Sequence, residues 1–382
     1  MTLSDTTAAP ARRRFRDSAL TRRVLTSRTV AALTTPHSVD HYLQYFDPMW
    51  AATEVRARII DIHRENPTSD GAAVATVTLQ PTATWRGHRA GQYVQVGVDL
   101  PGTAKRVTRC FSVSSAASAP GEQITLTIRA HDEGQVSKYL VNEAKPGEIL
   151  HLSQAEGEFT IHESPATPTP SHLIFITGGS GITPAMSIVR TLLRDGYDGR
   201  ANRRVTFIHY ARSTEDQIFA AELQKIAAED NHVSVHLHYG DDTFSAIKLA
   251  QVVPNFRDVD TWACGPAGLI DLVRTAYGED NDRLNVEFFK APAIATGDAE
   301  GQVTFARSGE SAPNTGASLL EQAEALGLKP EFGCRMGICF SCTSRKTEGT
   351  VRNVLTGEES SLPDEDIRIC VSSPVGDCSV EI

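Results

Sequence analysis

No apolar run in this sequence approaches the roughly 18 residues that suggest a membrane-spanning helix. The N-terminus is rich in arginine yet lacks the apolar stretch of a secretory signal, so the cytosol is the expected compartment. Positive charge is in short supply: 37 Lys and Arg face 47 Asp and Glu, a net charge of -10, which argues against general nucleic-acid binding. Cysteine is sparse too, seven in 382 residues. An odd number crowded toward one end reads as ligands or free thiols and not as a disulfide framework.

What is present is unevenly distributed. Seven arginines stand against Asp5 and Asp17 between Met1 and Val30, whereas 14 acidic residues stand against 7 basic ones from Thr296 to Ile382. One end suits an acidic surface and the other a basic partner. The chain is long enough for several domains, and its rhythm divides it. Residues 1-51 form a basic and aromatic arm whose stretch HYLQYFDPMW puts Tyr42, Tyr45, Phe46 and Met49 at helical spacing before Asp47-Pro48 breaks the helix. The bland reading is that this stripe packs on the chain's own first domain; the sharper one is docking to a partner or a membrane.

Residues 52-165 alternate in short segments such as AAVATVTL and QITLTIRA, the pattern of an antiparallel β-barrel. Across 166-292, strands alternate with helices, which predicts an α/β domain with a parallel sheet. Residues 296-382 make a third unit around a cysteine cluster.

In that unit FGCRMGICFSCT brings Cys334, Cys339 and Cys342 together as C-x4-C-x2-C, with Cys370 as a distant fourth. This is the spacing of a plant-type [2Fe-2S] site. Structural zinc is the rival, but it usually takes paired C-x2-C units. Gly333 and Gly337 let the backbone bend closely, and Arg335 would add positive charge beside an anionic cluster. From Ser318 onward the unit resembles the plant-type ferredoxin domain, an α+β β-grasp fold; Phe340 stands where that family often has a small residue.

TGGSGITP follows the buried-type strand SHLIFIT and opens a helix, so Gly178, Gly179, Gly181, Ile182 and Thr183 are candidates for approaching a pyrophosphate. A glycine-rich turn alone is weak evidence. Its weight comes from order: RCFS at Arg109 to Ser112, GQVSKYL from Gly134, GGSGITP and CGP at Cys264 to Pro266 match, in sequence, the ferredoxin-NADP reductase superfamily.

That resemblance implies a multidomain reductase with a flavin barrel and a nicotinamide-nucleotide domain. By it Arg109 neutralises flavin phosphate, Phe111 contacts the isoalloxazine and Ser112 lies near flavin N5, with Cys110 between them on the same strand. Gly134, Gln135, Val136 and Ser137 would cradle a pyrophosphate, which favours FAD over FMN. Cys264, Gly265 and Pro266 would lie near the nicotinamide, and Glu287 and Phe289, after the last strand, resemble the acidic and aromatic pair found there in related reductases. Ser112, Cys264 and Glu287 are thus the catalytic candidates. The strand RRVTFIHY runs into Arg212 and Ser213, and Arg212 favours NADPH, leaving NADH open.

The combination reads as an oxidoreductase wire: NADPH, FAD, [2Fe-2S], then an external acceptor. The acceptor expected from the resemblance is an oxygen-activating enzyme. The extra arm looks like that of actinobacterial reductases paired with membrane di-iron acyl-CoA desaturases in lipid metabolism, which implies peripheral contact with the inner face of the cell membrane. A soluble oxygenase, hydroxylase or cytochrome P450 is the alternative, and a non-enzymatic iron-sulfur sensor a further one.

Overall fold

The computed structural model describes residues 19–66, 72–100, 106–131, 134–164, 166–167, 171–194, 204–278, 281–289, 299–333, 335, 337 and 340–382. Three short helices come first: α1 (Ala19–Leu25), α2 (Arg28–Thr34) and α3 (Val39–Leu43). The aromatic stripe does not pack on the barrel as the bland reading expected, for Tyr45 and Phe46 are 74% and 78% exposed. The junction is held instead by a buried carboxylate. Asp40 accepts hydrogen bonds from the amides of Ala52 (2.5 Å), Thr53 (2.9 Å) and Glu54 (2.8 Å). These bonds hold its pKa down against the opposing effect of burial. Arg56, buried beneath, donates to the carbonyls of Pro48, Asp40 and Trp50.

Six strands follow: β1 (Val55–Arg64), β2 (Val74–Pro81), β3 (Tyr93–Asp99), β4 (Arg106–Ser112), β5 (Ile124–Arg129) and β6 (Ile149–Leu152). Their order is β4-β3-β6-β1-β2-β5, with antiparallel neighbours. Just past β4, Val113 bridges Leu126 of β5 and Ser114 N donates to Thr125 O at 2.8 Å, which joins the two edges into a barrel. The alternation of β2 puts Val77 and Leu79 inside, where they meet Trp85, Val94, Ile124 and Leu126. Helix α4 (Gln135–Asn142) closes one end through Val136, Leu140 and Val141.

The second sheet is parallel, β11-β10-β7-β8-β9, from β7 (His172–Gly178), β8 (Arg204–Ala211), β9 (Val233–Tyr239), β10 (Asp260–Gly265) and β11 (Leu284–Phe288). Helices α5 (Ile182–Arg194), α6 (Ala220–Ala228), α7 (Ala246–Val252) and α8 (Ala267–Tyr277) connect the strands. The spacing in PAMSIVRTLLRDG predicts one helical face of Ala185, Ile188, Val189, Leu192 and Leu193 with a stop at Gly196; the first four are buried in α5 and Leu193 is half-buried. Gly196, the expected helix stop, lies outside the described residues. Chain order reverses between β7 and β10, the switch point at which open α/β sheets bind ligands.

The third unit is a mixed sheet, β13-β12-β17-β14-β15 with β16 on β14, backed by α9 (Leu319–Ala325). Its strands are β12 (Gln302–Phe305), β13 (Glu310–Pro313), β14 (Thr343–Asn353), β15 (Glu359–Ser360), β16 (Glu365–Arg368) and β17 (Ser372–Val380). Among the described residues, no helix is long and apolar enough to cross a membrane.

Candidate functional site

At the switch point two glycine turns meet. A methyl on Gly181 would overlap the carbonyl oxygen of Cys264, and one on Gly178 would come within 2.9 Å of the Pro266 ring. Gly179 takes φ +53°. Only glycine lets the turn after β7 lie flat against the turn after β10, and the contact brings Gly178, Gly179, Gly181, Cys264, Gly265 and Pro266 together. Thr183 Oγ1 donates to Ser180 O at 3.0 Å, fixing the turn that opens α5. Ile182 and Thr183 are buried.

One row of side chains runs across this sheet at its C-terminal ends. The registers Cys264↔Glu287, Cys264↔Thr177 and Thr177↔His209 align four polar groups. Glu287 lies within β11 and not after it, as the sequence reading had placed it. Its Oε2 is buried without a hydrogen-bond partner, and burial pushes the carboxyl up to about 8. Glu287 is therefore a neutral acid at pH 7. Burial first, and the Glu287 charge second, push the Cys264 thiol well up, so Cys264 is no thiolate nucleophile. His209 is neutral and fully buried, its Nδ1 2.8 Å from Thr177 Oγ1. Phe289 packs against the core on the same side of the sheet as Cys264.

On the barrel, β4 carries the flavin candidates. Ser112 is buried, Phe111 packs against the barrel core, and Cys110 is half-buried. Arg109 Nη1 donates to Thr108 O at 2.7 Å. At the start of α4, Ser137 Oγ donates to Gly134 O (3.2 Å) and accepts from His131 N (3.3 Å). A methyl on Gly134 would overlap that Ser137 oxygen. Gln135 and Val136 form the first turn, where backbone amides have no helical acceptor.

Sequence reasoning missed Arg129. It ends β5, its Nη1 lies 3.6 Å from where a Gly179 methyl would stand, and its Nη2 is 3.8 Å from Asp216. Arg212 pairs with the other oxygen of Asp216 at 3.3 Å, and Ser213 Oγ accepts from Asp216 N at 3.2 Å. Two guanidiniums share one carboxylate, so positive charge is left over beside the nucleotide turn. The available signal was the arginine closing ITLTIR just before the GQVSKYL motif.

In the third unit Cys342 and Cys370 are buried with their sulfurs 3.2 Å apart, beyond the roughly 2.05 Å of a disulfide. Cys334 and Cys339 lie outside the described residues. Gly337 takes φ +74°, and a methyl there would stand 2.8 Å from Val371, next to Cys370. Arg368 donates to Gly337 O from the other side. Two adjacent buried thiols under a tightly turned loop fit a pair of iron ligands. Arg335 does not lend its charge to the loop alone, because it is bound to Glu324 at 2.9 Å.

Barrel, switch-point sheet and thiol-bearing unit define an NAD(P)H-dependent flavin and iron-sulfur oxidoreductase. Residues 60–161 match the family described as oxidoreductase FAD-binding domain, 175–275 oxidoreductase NAD-binding domain and 303–375 2Fe-2S iron-sulfur cluster binding domain. The chain is 36% identical over 359 residues to an NADPH oxidoreductase of Mycobacterium tuberculosis, spanning 92% of this chain and 90% of that one. It therefore belongs to the ferredoxin-NADP reductase superfamily, in the branch with a C-terminal 2Fe-2S domain. The ferredoxin reductase component of 3-ketosteroid-9-alpha-monooxygenase from Mycolicibacterium smegmatis is 27% identical, over 82% of this chain and 90% of that one. Phthalate dioxygenase reductase shares the fold, with TM-score 0.56 and 20% identity over 86% of this chain and 98% of that chain.

Proposed function

We propose that this protein carries electrons from NADPH to an oxygen-activating partner, and that the partner is a membrane di-iron acyl-CoA desaturase. When bound, the nicotinamide supplies electrons in pairs, FAD accepts the pair, and the 2Fe-2S centre passes them on singly. The chain's task is to hold these groups in line. Domains 52-165, 166-292 and 296-382 each take one group. Arg109, Cys110, Phe111 and Ser112 line the flavin, with Gly134, Gln135, Val136 and Ser137 at its pyrophosphate. Gly178, Gly179, Gly181, Ile182 and Thr183 receive the nucleotide phosphates, and Cys264, Gly265, Pro266 and Phe289 shape the nicotinamide pocket. Glu287 holds a proton at its buried Oε2 beside Cys264. Cys334, Cys339, Cys342 and Cys370 are the iron ligands.

Preference for NADPH is supported by Arg129, Arg212 and Ser213, since two arginines paired with one carboxylate, Asp216, suit a 2'-phosphate better than a free ribose hydroxyl. The desaturase reading is carried by the arm. Leu33 (81%), Tyr45 and Phe46 are exposed, and Arg23 and Arg28 are exposed in the same run of short helices. Apolar and basic groups together suit an anionic membrane surface. A soluble acceptor is the second reading, favoured by relatives named as reductase subunits of monooxygenases.

Deleting residues 1–37 separates the two readings while sparing Asp40. Flotation with anionic liposomes and turnover of a membrane desaturase should both fall, with NADPH oxidation by ferricyanide unchanged. Equal flotation by the shortened chain would remove the membrane reading and leave the soluble one.

A further inference from the structure

The cluster loop and the flavin strand touch through one aromatic ring. Phe332 stands two residues before Cys334, packs against the core of the third unit, and lies under the guanidinium of Arg109 at 4.3 Å from its centroid. Arg109 also reaches the Phe332 carbonyl, at 3.5 Å. The same ring is met by Arg335 at 3.8 Å, and Glu324 anchors that second guanidinium. Arg335 takes a left-handed backbone there, φ +57°, a conformation uncommon for a non-glycine residue.

We propose that Phe332 is a positioning residue: its ring seats the 2Fe-2S unit on the flavin strand and sets the separation the electrons must cross. Arg109 is fixed on β4 by its barrel neighbours, while Phe332 is fixed in the third unit by its core. A cation over an aromatic face attracts without demanding a matched hydrogen-bond geometry, which suits a contact between two separately folded units. Glu324 neutralises Arg335, so the two guanidiniums can share the ring with little mutual repulsion. The seat rests on the reading that Arg109 also lies at the flavin phosphate. One side chain then touches the donor's site and the acceptor's loop, and flavin binding helps orient the group that holds the loop.

The test uses holoprotein carrying Phe332→Leu, which keeps apolar bulk without a π face, and Phe332→Tyr, which keeps the face. After rapid mixing with NADPH, flavin bleaching is read by absorption and cluster reduction by freeze-quench EPR. Small-angle scattering gives the maximum dimension. Phe332→Leu should bleach at the parent rate, reduce its cluster about 2- to 30-fold more slowly, as loss of one such contact allows, and scatter as a longer particle; Phe332→Tyr should restore both. Arg109→Gln, assayed with FAD in excess, removes the cation from the same ring without altering the cluster loop and should slow cluster reduction similarly. Parent-rate cluster reduction in either Phe332→Leu or Arg109→Gln, with unchanged scattering, would overturn the proposal. The flavin-phosphate reading fails separately, if Arg109→Ala retains the parent affinity for FAD.

Discussion

Glu287 shows what a single residue owes to its surroundings. Its carboxyl gives up its proton near 4.5 in the unfolded chain and near 8 in the fold, so between those values the native state binds more protons. Stability contributed by the protonated form is thus fully present at low pH and is lost as pH rises toward 8. Glu287→Gln should flatten this dependence. Melting curves should show the variant gaining at least about 1 kcal/mol on the parent at pH 8, with little difference at pH 5; parallel curves would mean that the carboxyl is already charged. The residue's identity as a candidate was legible in NVEFF through resemblance, but its protonation state was not. That depends on the carboxyl being buried beside Cys264 of β10, which no local pattern encodes. The proposed iron ligands are the opposite case: the C-x4-C-x2-C spacing is itself the plant-type signature, so the chemistry was readable without the fold. Arg129 was missed for a third reason, since an arginine at a strand end is ordinarily a solvated charge and only the distant Gly179 and Asp216 give it work.

At the scale of elements, alternation and helical periodicity made the barrel strands and α5 readable, because those patterns follow from one face being buried. The arm was misread for the same reason. Tyr42, Tyr45 and Phe46 have the spacing of a core stripe, yet the anchor is a charged residue whose role depends on a turn twelve residues away. Asp40 is buried with three backbone amides and the Thr53 hydroxyl directed at it. Asp40→Ala would strand those donors, at roughly 2–4 kcal/mol. Because the carboxyl's pKa is lowered in the fold, its stabilising effect is present above the unfolded value and fades as pH falls below it. Urea unfolding at pH 7 should therefore reveal the loss clearly, and the gap between parent and variant should narrow as pH falls below the ordinary carboxyl value of 3.8. A loss confined to the arm, with the barrel's midpoint unchanged, would show that Asp40 serves only its own helix α3.

Across the whole molecule, three units built by different folding rules must hold three redox groups in line, so the joints matter as much as the sites. The joint between barrel and nucleotide domain is polar and specific. Ser187 Oγ donates to Ser115 O at 2.6 Å, Thr191 Oγ1 accepts from Ala117 N at 2.8 Å, and Arg190 donates to Ser114 O at 2.5 Å. Arg190 is further held by Glu222 (2.8 Å) and stacks on Phe219 at 4.3 Å. It thereby ties α5, α6 and the segment just past β4 to one another. Ser114 is two residues from Ser112, so movement of this joint displaces β4 relative to the glycine turn that opens α5. Arg190→Met keeps the apolar stem and removes the polar fork. FAD content and NADPH affinity measured at equilibrium should change little, while flavin bleaching by saturating NADPH should slow by about tenfold, since misalignment costs rate where binding tolerates it. An equal fall in affinity and rate would instead assign Arg190 to nucleotide binding. An unchanged bleaching rate would mean that the apolar contacts of Ile188 and Phe159 hold the two domains in register by themselves.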